Sequence, residues 1–163
     1  MELKKTFDFR KIVIVSYFVL LAVYLVVGLL PAGATSVDII TDIEIPKIGL
    51  SSGVTTLKLE DGKFITPDSV VGAFSRSRNK TFLVGHSSGV FSDLSLLTVG
   101  DEILYDLESY RITSVEILPK TDVRMDNLLI PEEKETLIIM TCAGEMLDGF
   151  DATERLIITA SIQ

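Results

Sequence analysis

The sequence predicts an all-β domain, a barrel or a sandwich, that covers residues 43–163 and follows one apolar N-terminal helix. Two observations predict the β class. Short apolar segments recur at roughly regular spacing with turn signals between them, and no convincing amphipathic helix of about twelve or more residues follows the apolar helix. A third observation predicts the helix: mean hydropathy is +0.43, and most of the apolar excess lies near the N-terminus.

The apolar segment covers residues 12–30, nineteen residues without a charge, which is long enough to cross a bilayer as a helix. Four basic residues precede it and none follows before Lys47, so the positive-inside rule places residues 1–11 in the cytoplasm. Residues 31–42 are then a linker, and the chain is a single-pass protein of the cell membrane. A cleaved signal peptide is the alternative, although signal peptides have apolar cores of only about 7–15 residues. Both interpretations place residues 31–163 outside the membrane.

The elements of the domain follow in order along the chain. Residues 43–50 alternate like a strand but contain Pro46, which predicts an edge strand or a bulge. Asp61-Gly62 is a strong hairpin dipeptide, and residues 92–97 predict a short helical turn. The remaining apolar segments predict strands over residues 80–86, 110–118, 135–142 and 154–162, and within residues 99–107 the Gly100-Asp101 turn precedes a further strand.

Charge and cysteine content exclude several classes of function. The net charge is −8, and the first eleven residues hold four basic and two acidic side chains, so the rest of the chain is more acidic still. Nucleic-acid binding therefore has no electrostatic support. One cysteine cannot form an internal disulfide, and one cysteine with one histidine cannot build a structural zinc site. We expect neither a metal nor a cofactor, because the scattered acids lack the ligand density of a calcium motif: Asp61, Asp93, Asp101 and Glu102.

Three residues can do chemistry together. His86 and Cys142, the sole residues of their types, each lie at the C-terminal end of a predicted strand, and Arg155 opens the strand after the cysteine. Acyl transfer requires little more than a thiol with a base nearby and a cation that stabilises the developing oxyanion. Each residue also has a structural interpretation, because a buried cysteine behaves as a small hydrophobic residue and an isolated arginine is commonly a surface charge.

Residues 85–89 fit the G-x-S-x-G pattern of the nucleophile elbow in α/β-hydrolases. That elbow requires a strand–turn–helix connection within a βαβ fold, and its histidine follows the serine in the chain. Here the sole histidine precedes Ser87 and no βαβ pattern exists, so this interpretation is rejected.

The ordered set of motifs resembles the sortase family. That family carries TLxTC on one strand, a histidine in a Gly-His step well upstream, and an arginine near the start of the next strand. Residues 43–50 and 91–105 resemble further family segments, whereas residues 60–79 match the family poorly. The stretches that correspond to the signature are Gly85-His86, IIMTC at residues 138–142 and RLII at residues 155–158.

The resemblance implies a closed or partly closed sortase-like β-barrel of about eight strands with short helical turns. It also implies a cysteine transpeptidase, a thiol-dependent peptidase and acyl transferase. In such an enzyme Cys142 attacks the Thr–Gly carbonyl of an LPxTG-like sorting signal on a secreted protein and forms a thioester. His86 protonates the leaving amine, and Arg155 holds the oxyanion or the substrate backbone. The acceptor amine belongs to a cell-wall precursor or a pilin lysine.

Further residues complete the expected site. Thr141 helps to position the substrate, and the backbone N–H of Ala143 contributes to the oxyanion hole. Apolar side chains before the cysteine strand grip the Leu-Pro of the signal, with ordinary packing as their alternative role: Val123, Leu128, Leu129 and Ile130. A different class of function stays open, a membrane-tethered β-barrel binding module with a structural cysteine and no enzymatic activity.

Overall fold

The structure is a computed structural model of the chain, and it describes residues 37–60, 63–77, 79–147 and 151–163. Three predicted segments lie outside the described residues: the cytoplasmic segment 1–11, the anchor 12–30 and the linker as far as residue 36. Within the described part of the chain, no helix has the length and apolar character needed to cross a membrane.

Strands make up most of the described residues, joined by short 3₁₀ turns at Pro46–Ile48, Leu94–Leu96 and Lys120–Asp122 and by a single helical turn, α1 (Met125–Leu128). The strands are β1 (Ile39–Ile45), β2 (Leu50–Thr56), β3 (Lys58–Glu60), β4 (Lys63–Ile65), β5 (Val71–Ser77), β6 (Lys80–Val84), β7 (Glu102–Tyr105), β8 (Glu108–Pro119), β9 (Thr136–Met146) and β10 (Ala152–Ile162).

Eight strands close into a barrel in the order β1-β2-β5-β6-β9-β10-β8-β7, and β7 pairs with β1 to complete it. Strands β2 and β5 pair in parallel, as do β6 and β9. Strands β3 and β4 form a separate two-stranded sheet, the hairpin expected around Asp61-Gly62, whose two turn residues lie outside the described residues. The predicted all-β barrel of about eight strands is confirmed.

Apolar residues divide between the barrel interior and its outer wall, because successive side chains of a strand point to opposite faces. On β9, Leu137 and Ile139 belong to the interior cluster, whereas Ile138 joins a second cluster with Phe82 of β6 and Ile157 of β10. This outer cluster also receives side chains from the β3–β4 hairpin and from α1. The three central strands are therefore covered on both faces, which explains their continuous apolar runs.

One end of the barrel is filled by the segment that follows β6. Phe91, Leu94 and Leu97 are almost fully buried and belong to the interior cluster, although they lie outside the strands. The predicted helical turn over residues 92–97 is present as the 3₁₀ turn Leu94–Leu96.

Residues 43–50 do not form one strand with a break, as the sequence suggested. They are the end of β1, a 3₁₀ turn that begins at Pro46, and the start of β2. Gly49 closes this turn at a φ of 63°, in the left-handed region, and its N–H donates to the Pro46 carbonyl. A residue with a Cβ would be strained at that φ, so the glycine permits the tight reversal.

Several strand boundaries differ from the sequence prediction. β6 ends at Val84 and β9 continues to Met146, so His86 lies just beyond its strand and Cys142 lies within its strand instead of at the end. β1 begins at Ile39, so the last residues of the predicted linker 31–42 belong to the barrel. The first half of β1 is largely exposed, and therefore no apolar alternation marks it. β5 is absent from the predicted strands, because its sequence VGAFSRS is rich in small and polar residues and only Val71 and Ala73 reach the interior cluster.

Candidate active site

Three adjacent strands of the barrel carry the predicted catalytic residues at one end. In the parallel pair β6–β9, Val84 lies opposite Met140, so His86 and Cys142, each two residues further on, lie at the same end. β10 runs antiparallel to β9 and places Arg155 directly opposite Cys142. The strand order therefore puts the cysteine between the histidine and the arginine.

The side chains of Cys142 and Arg155 belong to the outer face of the barrel. Cys142 follows Ile138 and Met140 at intervals of two along β9, and both of these pack in the outer cluster. Arg155 precedes the outer-cluster residue Ile157 by two positions on β10. Because side chains alternate along a strand, the thiol and the guanidinium emerge on the same face. Cys142 is half-buried there.

Thr141 connects the cysteine strand to the histidine strand. Its side chain points to the opposite face from Cys142 and is only 4% exposed. Its hydroxyl donates a buried hydrogen bond of 2.8 Å to the Gly85 carbonyl, immediately before His86. Thr141, which was expected to help position the substrate, thus has its hydroxyl bonded to the backbone just before His86.

The backbone of His86 is fixed by the turn that follows β6. Its carbonyl accepts a hydrogen bond of 3.1 Å from the N–H of Phe91. A Cβ at Gly85 would come within 2.5 Å of Val90, so close packing requires glycine before the histidine. The imidazole Nε2 lies 3.9 Å from a carboxylate oxygen of Asp68, a separation that allows attraction when the ring is protonated but exceeds a hydrogen bond.

The guanidinium of Arg155 is held by the start of its own strand. Nη1 donates to the carbonyls of Ala152 and Glu154 at 2.9 and 2.8 Å, and Nη2 donates to Asp151 Oδ1 at 2.6 Å. The side chain is 13% exposed, so these contacts operate in a partly desolvated place where hydrogen bonds to charged groups are strong.

Asp151 joins two cations. Its Oδ2 forms an ion pair with Lys120 Nζ, and its Oδ1 accepts from both Arg155 and the backbone N–H of Ala152. The Lys120 ammonium and the Arg155 guanidinium, together with the Ala152 N–H, hold the pKa of the Asp151 carboxyl well below its usual 3.8. The carboxylate is therefore ionised throughout the neutral range.

A cleft of about 430 Å³ opens at this end of the three strands. Cys142, His86, Arg155 and Thr141 all contribute to its lining, and so does Asp151. The remaining described lining is mostly apolar and comes from the β3–β4 hairpin, β6 and β9: Phe64, Thr66, Phe82, Val84, Gly85 and Met140. The cleft thus combines a thiol, an imidazole and a guanidinium with an apolar wall.

Three of the four residues expected to grip the substrate belong to the outer cluster, which also holds Phe64, Phe82 and Met140 of the cleft lining. Val123, Leu128 and Leu129 pack in the outer cluster, where Leu129 is only 7% exposed, and Ile130 is exposed. None of the four is among the described residues that line the cleft. Val123, Leu128 and Leu129 thus belong to the same cluster as the apolar cleft lining, and the role of the four residues in gripping the substrate stays a prediction. Ala143 is half-buried opposite Glu154 and is likewise not among the described lining residues.

Sequence reasoning did not single out Asp68, Phe64 or Asp151. Asp151 carries a weak signal in the sequence, an acid four residues before the predicted arginine, but this spacing indicates a pair only where the backbone brings the two together. Phe64 reaches the cleft because its hairpin folds over the barrel wall, which no local pattern indicates. In the described part of the chain, no group of three or more His, Cys, Asp or Glu residues could hold a metal ion.

Comparison with known proteins gives one family and one fold. A family profile described as "Sortase domain" matches residues 43–163, whereas no curated protein matches the chain significantly. Among solved structures, the chain is 24% identical to a sortase D5 transpeptidase from Clostridium perfringens, with a TM-score of 0.61 over 77% of this chain and 79% of that one. It is 21% identical to sortase C1 from Streptococcus agalactiae, with a TM-score of 0.62 over 80% of this chain and 70% of that one. It is 22% identical to sortase C from Clostridium perfringens SM101, with a TM-score of 0.59 over 77% of this chain and 70% of that one.

Proposed function

The chain belongs to the sortase family, as its motifs predicted, and from that premise we propose that it is a cysteine transpeptidase that acts on an LPxTG-like sorting signal. One observation carries the proposal: the strand register brings Cys142 opposite Arg155 and places both beside His86, in one cleft. A structural cysteine would need no such neighbours, and it would more commonly lie fully buried.

In the first half-reaction, the Cys142 thiolate attacks the carbonyl carbon of the Thr–Gly peptide bond. The carbonyl becomes a tetrahedral oxyanion, which collapses to a thioester as the C–N bond breaks. Protonated His86 gives its proton to the leaving amine, so the glycine side departs as a neutral amine. Arg155, across the strand pair from the sulfur, supplies positive charge where the oxyanion forms.

In the second half-reaction, an acceptor amine attacks the thioester and His86 takes the proton that this amine loses. The sulfur leaves as thiolate, which restores the starting enzyme, and a new amide bond replaces the one that was cut. Family resemblance supports a cell-wall precursor or a pilin lysine as the acceptor. Water in the same place would give hydrolysis, so the choice of acceptor decides between transfer and cleavage.

The apolar wall of the cleft supports a peptide that presents apolar side chains beside its scissile bond. Phe82 and Val84 of β6 and Met140 of β9 form a surface on the barrel, and Phe64 of the hairpin stands next to it. The leucine and proline of an LPxTG-like signal fit such a surface. Val123, Leu128, Leu129 and Ile130 stay predicted contacts for the same part of the signal.

We further propose that residues 12–30 anchor the enzyme as a single-pass helix and that the catalytic domain lies on the extracellular side. The support is the sequence alone: nineteen uncharged residues with basic residues before them. This location would bring the cleft to secreted proteins that carry a sorting signal.

A peptide assay tests the proposed activity. The full chain in detergent micelles is incubated with fluorogenic LPxTG-type peptides, alone and with a panel of primary amines. We expect cleavage that Cys142→Ala abolishes, and amide products whose yield depends on the amine. Arg155→Lys should lower the rate without unfolding the domain, because lysine keeps the charge but loses the planar fork.

Two results would contradict the proposal. Cleavage by Cys142→Ala at the wild-type rate would remove the cysteine from the mechanism. A wild-type protein that cleaves none of the peptides and whose thiol does not react with an electrophile would instead favour the binding module. Equal activity of Arg155→Lys would remove only the role assigned to the guanidinium.

A further inference from the structure

Asp151 stands at the centre of a chain of three charges beside the cleft. One carboxylate oxygen faces Lys120, on the 3₁₀ turn after β8, and the other faces Arg155 on β10. The backbone N–H of Ala152 also donates to the oxygen that faces the arginine. The carboxylate is thus fixed from three sides, although Asp151 itself lies just before the strand.

Among the described residues, Asp151 is the only one whose carboxylate accepts a hydrogen bond from Arg155. The two other contacts of Arg155 are backbone carbonyls of Ala152 and Glu154, which belong to the same short stretch of chain. An arginine side chain has a long flexible stem, so backbone contacts to Nη1 alone leave the plane of the guanidinium free to turn. The contact of Asp151 with Nη2 fixes that plane, since it holds the second terminal nitrogen.

From this arrangement we propose that Asp151 is a positioning residue that holds the Arg155 guanidinium in the cleft opposite Cys142, and that Lys120 in turn holds Asp151. This inference rests on the proposed function and adds two residues to its machinery. The guanidinium must meet a charge that develops on one oxygen, and misplacement by about 1 Å can lower a rate about 100-fold.

Stability alone does not explain the arrangement. Asp151 and Lys120 have side chains that are 38% and 48% exposed, and ion pairs with that exposure contribute little to folding. Loss of the pair should therefore leave the barrel folded. The effect that we expect is on the orientation of Arg155, which a measurement of folding would not detect.

The test compares Asp151→Ala, Asp151→Asn and Lys120→Met in the full chain in detergent micelles, with Asp122→Asn as the charge-matched control. Asp122 lies on the same 3₁₀ turn as Lys120 but its carboxylate accepts from Thr121. We expect kcat to fall about 10- to 100-fold in Asp151→Ala with KM changed less than about threefold. Asp151→Asn keeps an oxygen for Arg155 and should recover part of the loss. The kcat of Lys120→Met should lie between the values for wild type and Asp151→Ala. The kcat of Asp122→Asn should equal that of wild type.

A second readout does not depend on catalysis. Phenylglyoxal modifies accessible guanidinium groups, and peptide mass mapping locates the modified arginine. Arg155 should react several-fold faster in Asp151→Ala than in wild type or in Asp122→Asn. If the wild type cleaves no peptide, the proposed function fails, and this rate still decides whether Asp151 holds Arg155.

Three results would overturn the inference. The first is an unchanged kcat in Asp151→Ala together with an unchanged Arg155 modification rate. The second is a faster enzyme, which would make Asp151 a competitor that blocks the guanidinium. The third is a fall in kcat that Asp151→Asn and Asp122→Asn share equally, which would indicate a general charge effect.

Discussion

The hydroxyl of Thr141 makes a hydrogen bond that links the chain segments of the two predicted catalytic residues, His86 and Cys142. It donates to the carbonyl of Gly85, so the residue before Cys142 is bonded to the residue before His86. A hydroxyl at this position therefore helps to hold the backbone before His86. The sequence predicted a role for Thr141 in positioning the substrate, but no sequence pattern shows the bond from its side chain to Gly85.

Thr141→Val should damage both stability and catalysis. The substitution keeps the shape but leaves the buried Gly85 carbonyl without its hydroxyl donor, which costs about 1–3 kcal/mol of unfolding free energy. Urea denaturation and peptide cleavage measure the two effects. Thr141→Ser is the matched control, because it keeps the hydroxyl and should retain most of the activity. Equal stability and activity of Thr141→Val and wild type would contradict the assigned role.

Asp151 should titrate at an unusually low pH. The Lys120 ammonium, and after it the Arg155 guanidinium, lower the pKa of this carboxyl below its usual 3.8. A depressed pKa means that the ion pairs stabilise the folded state above the ordinary pKa and that this contribution is lost as the pH falls through the folded value. NMR of the side-chain carboxyl should find Asp151 mostly ionised at pH 3.8, and Lys120→Met should raise the midpoint. A wild-type midpoint at or above 3.8 would contradict the charge chain.

At the scale of elements, the central strands were predictable and their orientation was not. The predicted strands 135–142 and 154–162 contain the uninterrupted apolar runs 137–140 and 156–158, which lie in β9 and β10. A strand that is covered on both faces shows no polar alternation, so the sequence cannot tell which side faces the interior. The outward direction of Cys142 follows only from the outer cluster that the hairpin and α1 complete.

The β3–β4 hairpin is the element that sequence reasoning undervalued. The hairpin begins at Lys58, and its second strand lies with the missed strand β5 in the stretch 60–79 that matched the family poorly. Phe64 of this hairpin packs against Phe74 and Phe82, with ring centroids 5.0 and 6.1 Å apart, and forms one side of the cleft. Contacts of this kind join residues that are distant in sequence, and local propensity carries no information on them.

Phe64→Ala should weaken substrate binding more than it weakens chemistry. The ring lines the cleft but is not one of the groups that move a proton or a charge, so KM should rise about tenfold with kcat changed little. Ile65→Ala is the control, because Ile65 is the next residue on β4, is exposed, and is not among the described residues that line the cleft. A KM effect of the same size in both variants would show that the hairpin acts through its fold alone.

At the scale of the whole molecule, the sequence predicted the barrel and the three residues that the barrel brings together. The order of the motifs, together with the sole histidine and the sole cysteine, was sufficient to identify the family. The family profile, which matches residues 43–163, confirms that identification. Val123 and Leu129 pack in the outer cluster together with residues of the cleft lining, and their contact with the substrate stays a prediction. The membrane anchor stays a prediction.

The single native cysteine makes the predicted topology testable in intact cells. In a Cys142→Ala background, Thr121→Cys should be labelled by a membrane-impermeant maleimide from outside, because Thr121 is exposed on the catalytic domain. Thr6→Cys, in the predicted cytoplasmic segment, should be labelled only after the membrane is permeabilised. The opposite pattern, or labelling of both from outside, would contradict the single-pass orientation.

Intact-protein mass spectrometry can detect the thioester that we propose between Cys142 and a sorting signal. The full chain is mixed with an LPxTG-type peptide, quenched in acid within the first turnover and weighed. We predict an adduct equal in mass to the peptide fragment through threonine less one water, mapped to Cys142, released by hydroxylamine and absent in Cys142→Ala. Peptide cleavage without any adduct on Cys142, and at the same rate in Cys142→Ala, would contradict the account.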